Sequence, residues 1–395
     1  GHILGSASVI LEVTEAGRTR RIAFSGDIGR KGLPILKDPE IPRGADYVVV
    51  ESTYGDRLHE PASAAKGYLR ECASSTVDRR GVLLVPAFAL GRTQEVVYRL
   101  NQLWEEGALP PIDVYVDSPL AVNVTEVFGR HPECWDQEMI ETTRNDRDGD
   151  ALGFRRLRYV QSVEESKSLN SKPGPMVIIS ASGMCEGGRI LHHLANNLDK
   201  PSTAVLFVGY QAEHTLGRKI LEGQSPVPIL GTRVEVNARV ERADSYSAHA
   251  DRNELIAWAE SARETGNIQK YFLVHGEPES AESLATALRE RGTAEVLVPD
   301  HVAGLGLQVG PGEDHGAAAV AHMNGVFGHG PGGFDHPLAG VYPAAVGGEI
   351  LVGKPGKALC VFPDPARQVG VLGARAVFER GAQLRYHGAQ VAYQR

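Results

Sequence analysis

A chain of 395 residues, 42% hydrophobic and 23% charged, can bury a large core and is expected to split into two or more domains, soluble and globular. Its net charge of -8 argues against binding polyanions over the whole surface, although a local basic groove can coexist with an acidic remainder. No apolar run approaches a membrane span, and Gly1-His2-Ile3-Leu4-Gly5-Ser6 lacks a signal-peptide core, so the expectation is a cytoplasmic protein with no membrane partner.

The chain lacks an initiating methionine and opens inside what reads as a structured unit, so a fragment is expected. Ser8 to Val13 and Arg21 to Gly26 read as strands joined by a turn at Glu15-Ala16-Gly17, and Tyr47 to Ser52 reads as a buried strand. Strand ends are where ligands gather in an α/β sheet, which makes Asp27 and Glu51 candidates by position as well as by chemistry. Gly81 to Pro86 predicts another buried strand, followed by a helix from Arg92 to Trp104 with Val96, Val97, Leu100 and Leu103 at helical spacing. The same grammar recurs in the strand Met176 to Ser180, the small-residue loop to Gly188, and a helix burying Ile190, Leu191, Leu194 and Leu198. With a further strand from Ala204 to Gly209, this alternation predicts a doubly wound α/β domain.

The loop from Ser180 to Gly188 is a candidate anion cradle, because small residues let backbone N–H groups approach a phosphate; tight strand-to-helix packing is the competing explanation. Ser180, Ser182, Gly183, Arg189 and Arg92 are the candidate phosphate contacts, and Arg218 sits in a similar setting. Further on, Ser247-Ala248-His249-Ala250-Asp251 and Leu273-Val274-His275-Gly276-Glu277 place two histidines at strand-to-loop transitions. A neutral imidazole ligates zinc, and a charged one donates a proton to a leaving group; metal-assisted phosphodiester hydrolysis needs both. Cys72, Cys134, Cys185 and Cys360 lack Cys-x-x-Cys spacing and read as isolated buried thiols, not zinc ligands.

Several of these segments, with Phe24-Ser25-Gly26-Asp27-Ile28-Gly29, Glu51-Ser52-Thr53-Tyr54-Gly55, Pro86-Ala87-Phe88-Ala89-Leu90-Gly91-Arg92 and Ser182-Gly183-Met184, occur in an order that resembles the metallo-β-lactamase superfamily. The narrower resemblance, over residues 1 to about 305, is to its β-CASP branch of RNA-processing nucleases. That resemblance implies two zinc ions, with His2 ligating one, His275 the other, and Asp27 bridging both. It makes His249 the proton donor to the leaving oxygen and Glu51 the carboxylate that holds and charges it, which would keep the imidazole protonated. The family's first metal motif, His-x-His-x-Asp-His, lies upstream of the glycine-histidine motif and is absent from this sequence. The chain as written is therefore expected to bind zinc poorly and hydrolyse little unless that portion comes from elsewhere, since catalytic zinc generally takes three protein ligands.

From Gly304 to Gly348 a glycine-rich stretch reads as a linker. His315, His322, His329 and His336 recur every seven residues there, but the glycines and Pro331 forbid a continuous helix that would align them, so a solvated segment is favoured over a metal site. Apolar runs at Ile350-Leu351-Val352, Ala358 to Phe362 and Val369 to Leu372 suggest small strands. The reading that results is an α/β chain: a partial metallo-β-lactamase αββα sandwich at 1–55 and 235–305, an inserted doubly wound β-CASP domain at 56–234, and an unassigned segment at 306–395. Its implied function is zinc-dependent hydrolysis of RNA phosphodiesters, with RNA as partner and a homodimer as an assembly to test. The alternatives are a noncatalytic RNA-binding or assembly subunit and a metallo-hydrolase of other substrates.

Overall fold

The computed structural model describes residues 1–145, 149–292 and 294–299, and beyond them the backbone of a few short strands. In chain order the elements are β1 (Val9–Glu15), β2 (Arg18–Phe24), β3 (Tyr47–Glu51), α1 (Ala64–Asp78), β4 (Val82–Pro86), α2 (Arg92–Glu105), β5 (Asp113–Asp117), α3 (Pro119–Arg130) and α4 (Gln137–Asn145). They continue as β6 (Leu157–Val160), α5 (Val163–Leu169), β7 (Met176–Ser180), α6 (Ile190–Asn197), β8 (Ala204–Phe207), α7 (Leu216–Leu221), β9 (Val227–Ile229), β10 (Thr232–Val234) and β11 (Arg239–Arg242). Then come α8 (Arg252–Glu264), β12 (Lys270–Val274), α9 (Pro278–Glu290) and β13 (Glu295–Leu297). The remaining strands are β14 (Leu305–Leu307), β15 (Ala319–His322), β16 (Glu349–Val352), β17 (Ala358–Val361), β18 (Arg375–Ala376) and β19 (Gln383–Tyr386).

Two compact units account for these elements. The first gathers residues 1–6, 28–40 and 57–254. Its sheet runs β11-β8-β4-β7-β5-β6, parallel throughout. Val82 and Leu84 of β4 face one cluster while Leu83 and Val85 face the other, as the period-two alternation of a strand requires. One face is covered by α1 to α4 through Leu69, Val96, Leu100, Phe128 and Met139, the other by α5 to α7 through Leu169, Ile190, Leu194 and Ile220. This is the expected doubly wound arrangement, and its strands read as apolar runs because both faces are buried. The sheet reaches β11, past the expected limit at residue 234, because Arg239 to Arg242 pair in parallel register with Ala204 to Phe207. Side-chain caps start three of its helices: Ser118 accepts from the Ala121 amide, Ser162 from Glu165 and Thr215 from Arg218.

The second unit comprises residues 7–27, 41–56 and 255–395. Its sheet runs β13-β12-β3-β2-β1-β19, parallel from β13 to β2 and antiparallel at β1. Ile22, Tyr47, Val49 and Phe272 form one face of its core. Tyr271 belongs to the other face and donates its hydroxyl to the Ala259 carbonyl of α8 at 2.8 Å. The apolar runs expected near residues 350 and 358 form an antiparallel hairpin, β16 with β17. Within the stretch read as a linker, β14 and β15 pair antiparallel. The strand expected at Val369 to Leu372, the residues His315, His329 and His336, and the His322 side chain lie outside what is described. No helix of the described residues is long and apolar enough to cross a membrane.

Candidate functional site

In the second unit, Asp27, Glu51 and His275 lie at the C-terminal ends of the adjacent parallel strands β2, β3 and β12. Each turn has a steric reason. Gly26 adopts φ +61°, and a Cβ there would lie 2.7 Å from the Ala7 carbonyl oxygen, so only glycine turns the chain toward Asp27. His275 itself sits at φ +57°, a left-handed conformation costly for a residue with a Cβ. The following Gly276 is pressed against β3's exit, where a Cβ would stand 2.4 Å from the Ser52 carbonyl oxygen. The backbone is thus bent to present the imidazole, whose Nδ1 lies 3.4 Å from Oδ1 of Asp27.

Glu51 is 1% exposed. Its amide donates to the Ser25 hydroxyl at 3.1 Å, and its carboxylate accepts from the Thr53 hydroxyl at 2.5 Å. The same Thr53 oxygen lies 3.2 Å from Nδ1 of His275 and 2.9 Å from its carbonyl oxygen. Thr53 therefore ties Glu51 to His275, a link that sequence reading missed because a threonine two residues past a strand looks like ordinary loop. Asp27 and His275 remain open to solvent, their side chains 34% and 30% exposed.

The first unit holds the other pair. The rings of His2 and His249 lie 4.2 Å apart, tilted by 46°. The His249 loop is pinned by a short antiparallel pairing: Ala250 donates to the Ile28 carbonyl at 2.8 Å, Gly29 bridges His249, and Arg30 donates to the Ala248 carbonyl at 3.3 Å. Gly29 also receives the Gly1-His2 segment so closely that a Cβ would lie 2.2 Å from the Gly1 carbonyl carbon. The buried Arg30 guanidinium donates to the Ser245 and Glu60 carbonyls and lies 3.6 Å from the Glu254 carboxylate. Asp251 and Glu254 exchange backbone-to-carboxylate bonds at 3.0 Å, a capping box at the start of α8. Asp251 also accepts from the His59 amide at 3.2 Å. Burial, helped by the Arg30 cation, pulls the His59 pKa down to about 4 against the opposing Asp251 carboxylate and a hydrogen bond to the His249 carbonyl. His59 is therefore neutral at pH 7.

The candidate phosphate contacts sit at the strand ends of the doubly wound sheet, where their side chains meet internal partners. Ser180 donates to the Asp117 carbonyl at 2.8 Å, and the Ser182 hydroxyl accepts from the Glu186 and Gly187 amides. Arg189 donates to the Asp117 carboxylate at 2.6 Å and to the Gln161 carbonyl at 2.8 Å. Arg92 is buried against Glu95 and over the Tyr246 ring, while Arg218 pairs with Glu222 on the surface. Gly183 lies beneath the Phe88 ring. The centre of this network is Asp117, which also takes bonds from His193 at 2.7 Å and Ser166 at 2.5 Å. Burial pushes the Asp117 carboxyl upward, but hydrogen bonds from His193, Ser166 and Arg189 outweigh it and hold the pKa below the ordinary carboxylate value.

Residues 93–220 match the family described as Beta-Casp domain, and residues 233–299 match the Zn-dependent metallo-hydrolase RNA specificity domain. Ribonuclease TTHA0252 of Thermus thermophilus is 37% identical over 295 residues, 74% of this chain and 64% of that protein. The RNase J-like protein of Methanocaldococcus jannaschii is 30% identical over 303 residues, 76% of this chain and 67% of that protein. Transcription termination factor FttA of the same organism is 31% identical over 311 residues, and there the chain spans only 47% of the relative's length. Motif order, the doubly wound sheet and these similarities converge: the chain belongs to the β-CASP branch of the metallo-β-lactamase superfamily.

Proposed function

We propose that this chain carries part of the phosphodiester-cleaving site of a zinc-dependent ribonuclease, the part that lies downstream of the family's His-x-His-x-Asp-His motif, which its sequence does not contain. The observation that carries the reading is the convergence of Asp27 and His275 past the ends of β2 and β12, the two strands that flank β3, with both side chains partly exposed. Imidazole nitrogen and carboxylate oxygen are donors that zinc accepts. Two ligands on a tetrahedral zinc at about 2.0–2.1 Å stand about 3.3 Å apart, close to the 3.4 Å between Oδ1 of Asp27 and Nδ1 of His275. Those donors therefore fit the metal.

In this reading His2 and His275 would each be a ligand to zinc and Asp27 would serve as a shared carboxylate ligand. Bound zinc would polarise the phosphoryl oxygens and activate a water. The remaining work falls to the chain's own groups. His249, fixed by the pairing of its loop with residues 28–30, donates a proton to the leaving oxygen. Glu51, whose carboxylate is fixed by the Thr53 hydroxyl, is assigned to keep that imidazole charged. For Ser180, Ser182, Gly183, Arg189 and Arg92, a phosphate role stays a proposal for the loop as a whole, since Ser180, Arg189 and Arg92 already serve Asp117 and Glu95.

The proposed division is 1–55 with 235–305 for the metallo-β-lactamase part and 56–234 for the β-CASP part, although β11 at Arg239–Arg242 lies beyond residue 234 and still pairs in the β-CASP sheet. RNA as substrate, two zinc ions, a cytoplasmic location and a homodimeric assembly belong to the same proposal. The test is zinc content per chain after exhaustive dialysis, run beside cleavage of a labelled single-stranded RNA. His249→Ala should keep whatever metal the chain holds and slow cleavage, whereas Asp27→Ala should lose metal. Equal metal loss in both variants would overturn the assignment of His249 as the acid.

A further inference from the structure

Phe88 and the glycines around it form a second feature of the β-CASP unit. Strands β4 and β7 are neighbours, yet the chain leaves β4 toward the helix layer holding α2 and leaves β7 toward the layer holding α6. Adjacent strands that exit to opposite faces open a crevice at their C-terminal ends, where α/β sheets place ligands. Phe88 stands at that edge and is 42% exposed, although a phenyl ring gains by burial.

Its position is built, not loose. The Phe88 carbonyl accepts from both the amide and the hydroxyl of Thr93, at 3.2 and 2.8 Å. A Cβ on buried Gly183 would meet the Cδ2 and Cε2 atoms of the ring at 2.8 and 2.9 Å, so one ring edge rests directly on a backbone that only glycine permits. Gly209, just past β8, continues that floor, its Cβ position 4.0 Å from the same edge. The buried Gln211 amide locks the two glycine segments together, donating to the Gly183 carbonyl at 2.9 Å and the Gly209 carbonyl at 3.2 Å. Gly217 lies so close that a Cβ would be 1.8 Å from Oε1 of Gln211, so this clamp also demands glycine beside it. Tyr210, the next residue along, is 41% exposed.

An aromatic ring held against backbone at one edge and 42% exposed has the form of a stacking platform for an unpaired base. We propose that Phe88, on the floor of Gly183 and Gly209, stacks a nucleobase of single-stranded RNA. The inference rests on the ribonuclease reading above and deepens it by naming a contact to the substrate's bases that is separate from the metal ligands. Stacking on a π-face tolerates any base, so the platform serves affinity and not sequence choice.

The test is fluorescence anisotropy of a short labelled oligoadenylate and of the same ribose-phosphate chain carrying abasic sites. Phe88→Ala, Phe88→Leu and Phe88→Tyr are compared with the unaltered chain, their folding checked by circular dichroism. Phe88→Ala and Phe88→Leu should weaken the base-bearing probe about 5- to 150-fold and leave the abasic probe unchanged, while Phe88→Tyr keeps the original affinity. Unchanged affinity in Phe88→Ala, or equal weakening on both probes, would overturn the stack while leaving the ribonuclease reading in place. Absence of binding by the unaltered chain would overturn both.

Discussion

Asp117 and Asp27 occupy equivalent places, each at the end of a parallel strand, in the two different units. Asp117 is fully buried, and Arg189, His193 and Ser166 satisfy its carboxylate. Asp27 is 34% exposed and faces a histidine held in a left-handed backbone conformation. The contrast teaches how two sheets of similar grammar divide labour. One closes its strand end with its own ion pair and hydrogen bonds; the other leaves a carboxylate and an imidazole about one-third exposed. Position at a strand end nominates a residue, and the partners decide what it does.

Substitution should separate the two aspartates. Asp117→Ala strands a half-buried arginine and a buried histidine without their carboxylate, and denaturant unfolding should show a loss of about 3–5 kcal/mol. Asp27→Ala removes a half-open side chain and should change stability by no more than about 1 kcal/mol. Equal losses would erase the distinction between scaffold and site.

A smaller effect comes from His59, behind the His249 loop. Its folded pKa of about 4 lies below the ordinary histidine value of 6.5, so the unfolded chain binds the extra proton first. Stability from this group is present above pH 6.5 and is lost as the pH falls toward 4. Discounted for partial solvent access, the loss is on the order of 1–2 kcal/mol. His59→Gln should flatten the stability profile across that window, and an unchanged slope would place the titration elsewhere.

The residues that sequence reading nominated are those whose pattern is local. Asp27, Glu51, His249 and His275 each sit in a short run where strand, turn and functional group follow one another, and the alternating strands and helices around Val82 to Phe207 announced the doubly wound sheet. The network around Asp117 was hidden because Arg189 and His193 lie 72 and 76 residues away, and nothing in a linear pattern pairs them. For the same reason the internal partners of Ser180 and Arg189 were not legible. Arg92 was closer to legible: Glu95 stands three residues on, within one helical turn. The place of β11 in the sheet was not legible, since a strand of four partly exposed residues carries little pattern beyond its neighbours.

The most direct test of the central claim is the zinc affinity of the intact chain, measured by calorimetric titration beside Asp27→Ala and His275→Ala. The account predicts zinc binding that weakens at least about tenfold in each variant while the fold is retained. Unchanged zinc affinity in both would contradict it, and would leave the meeting of Asp27 and His275 as a contact within the protein alone.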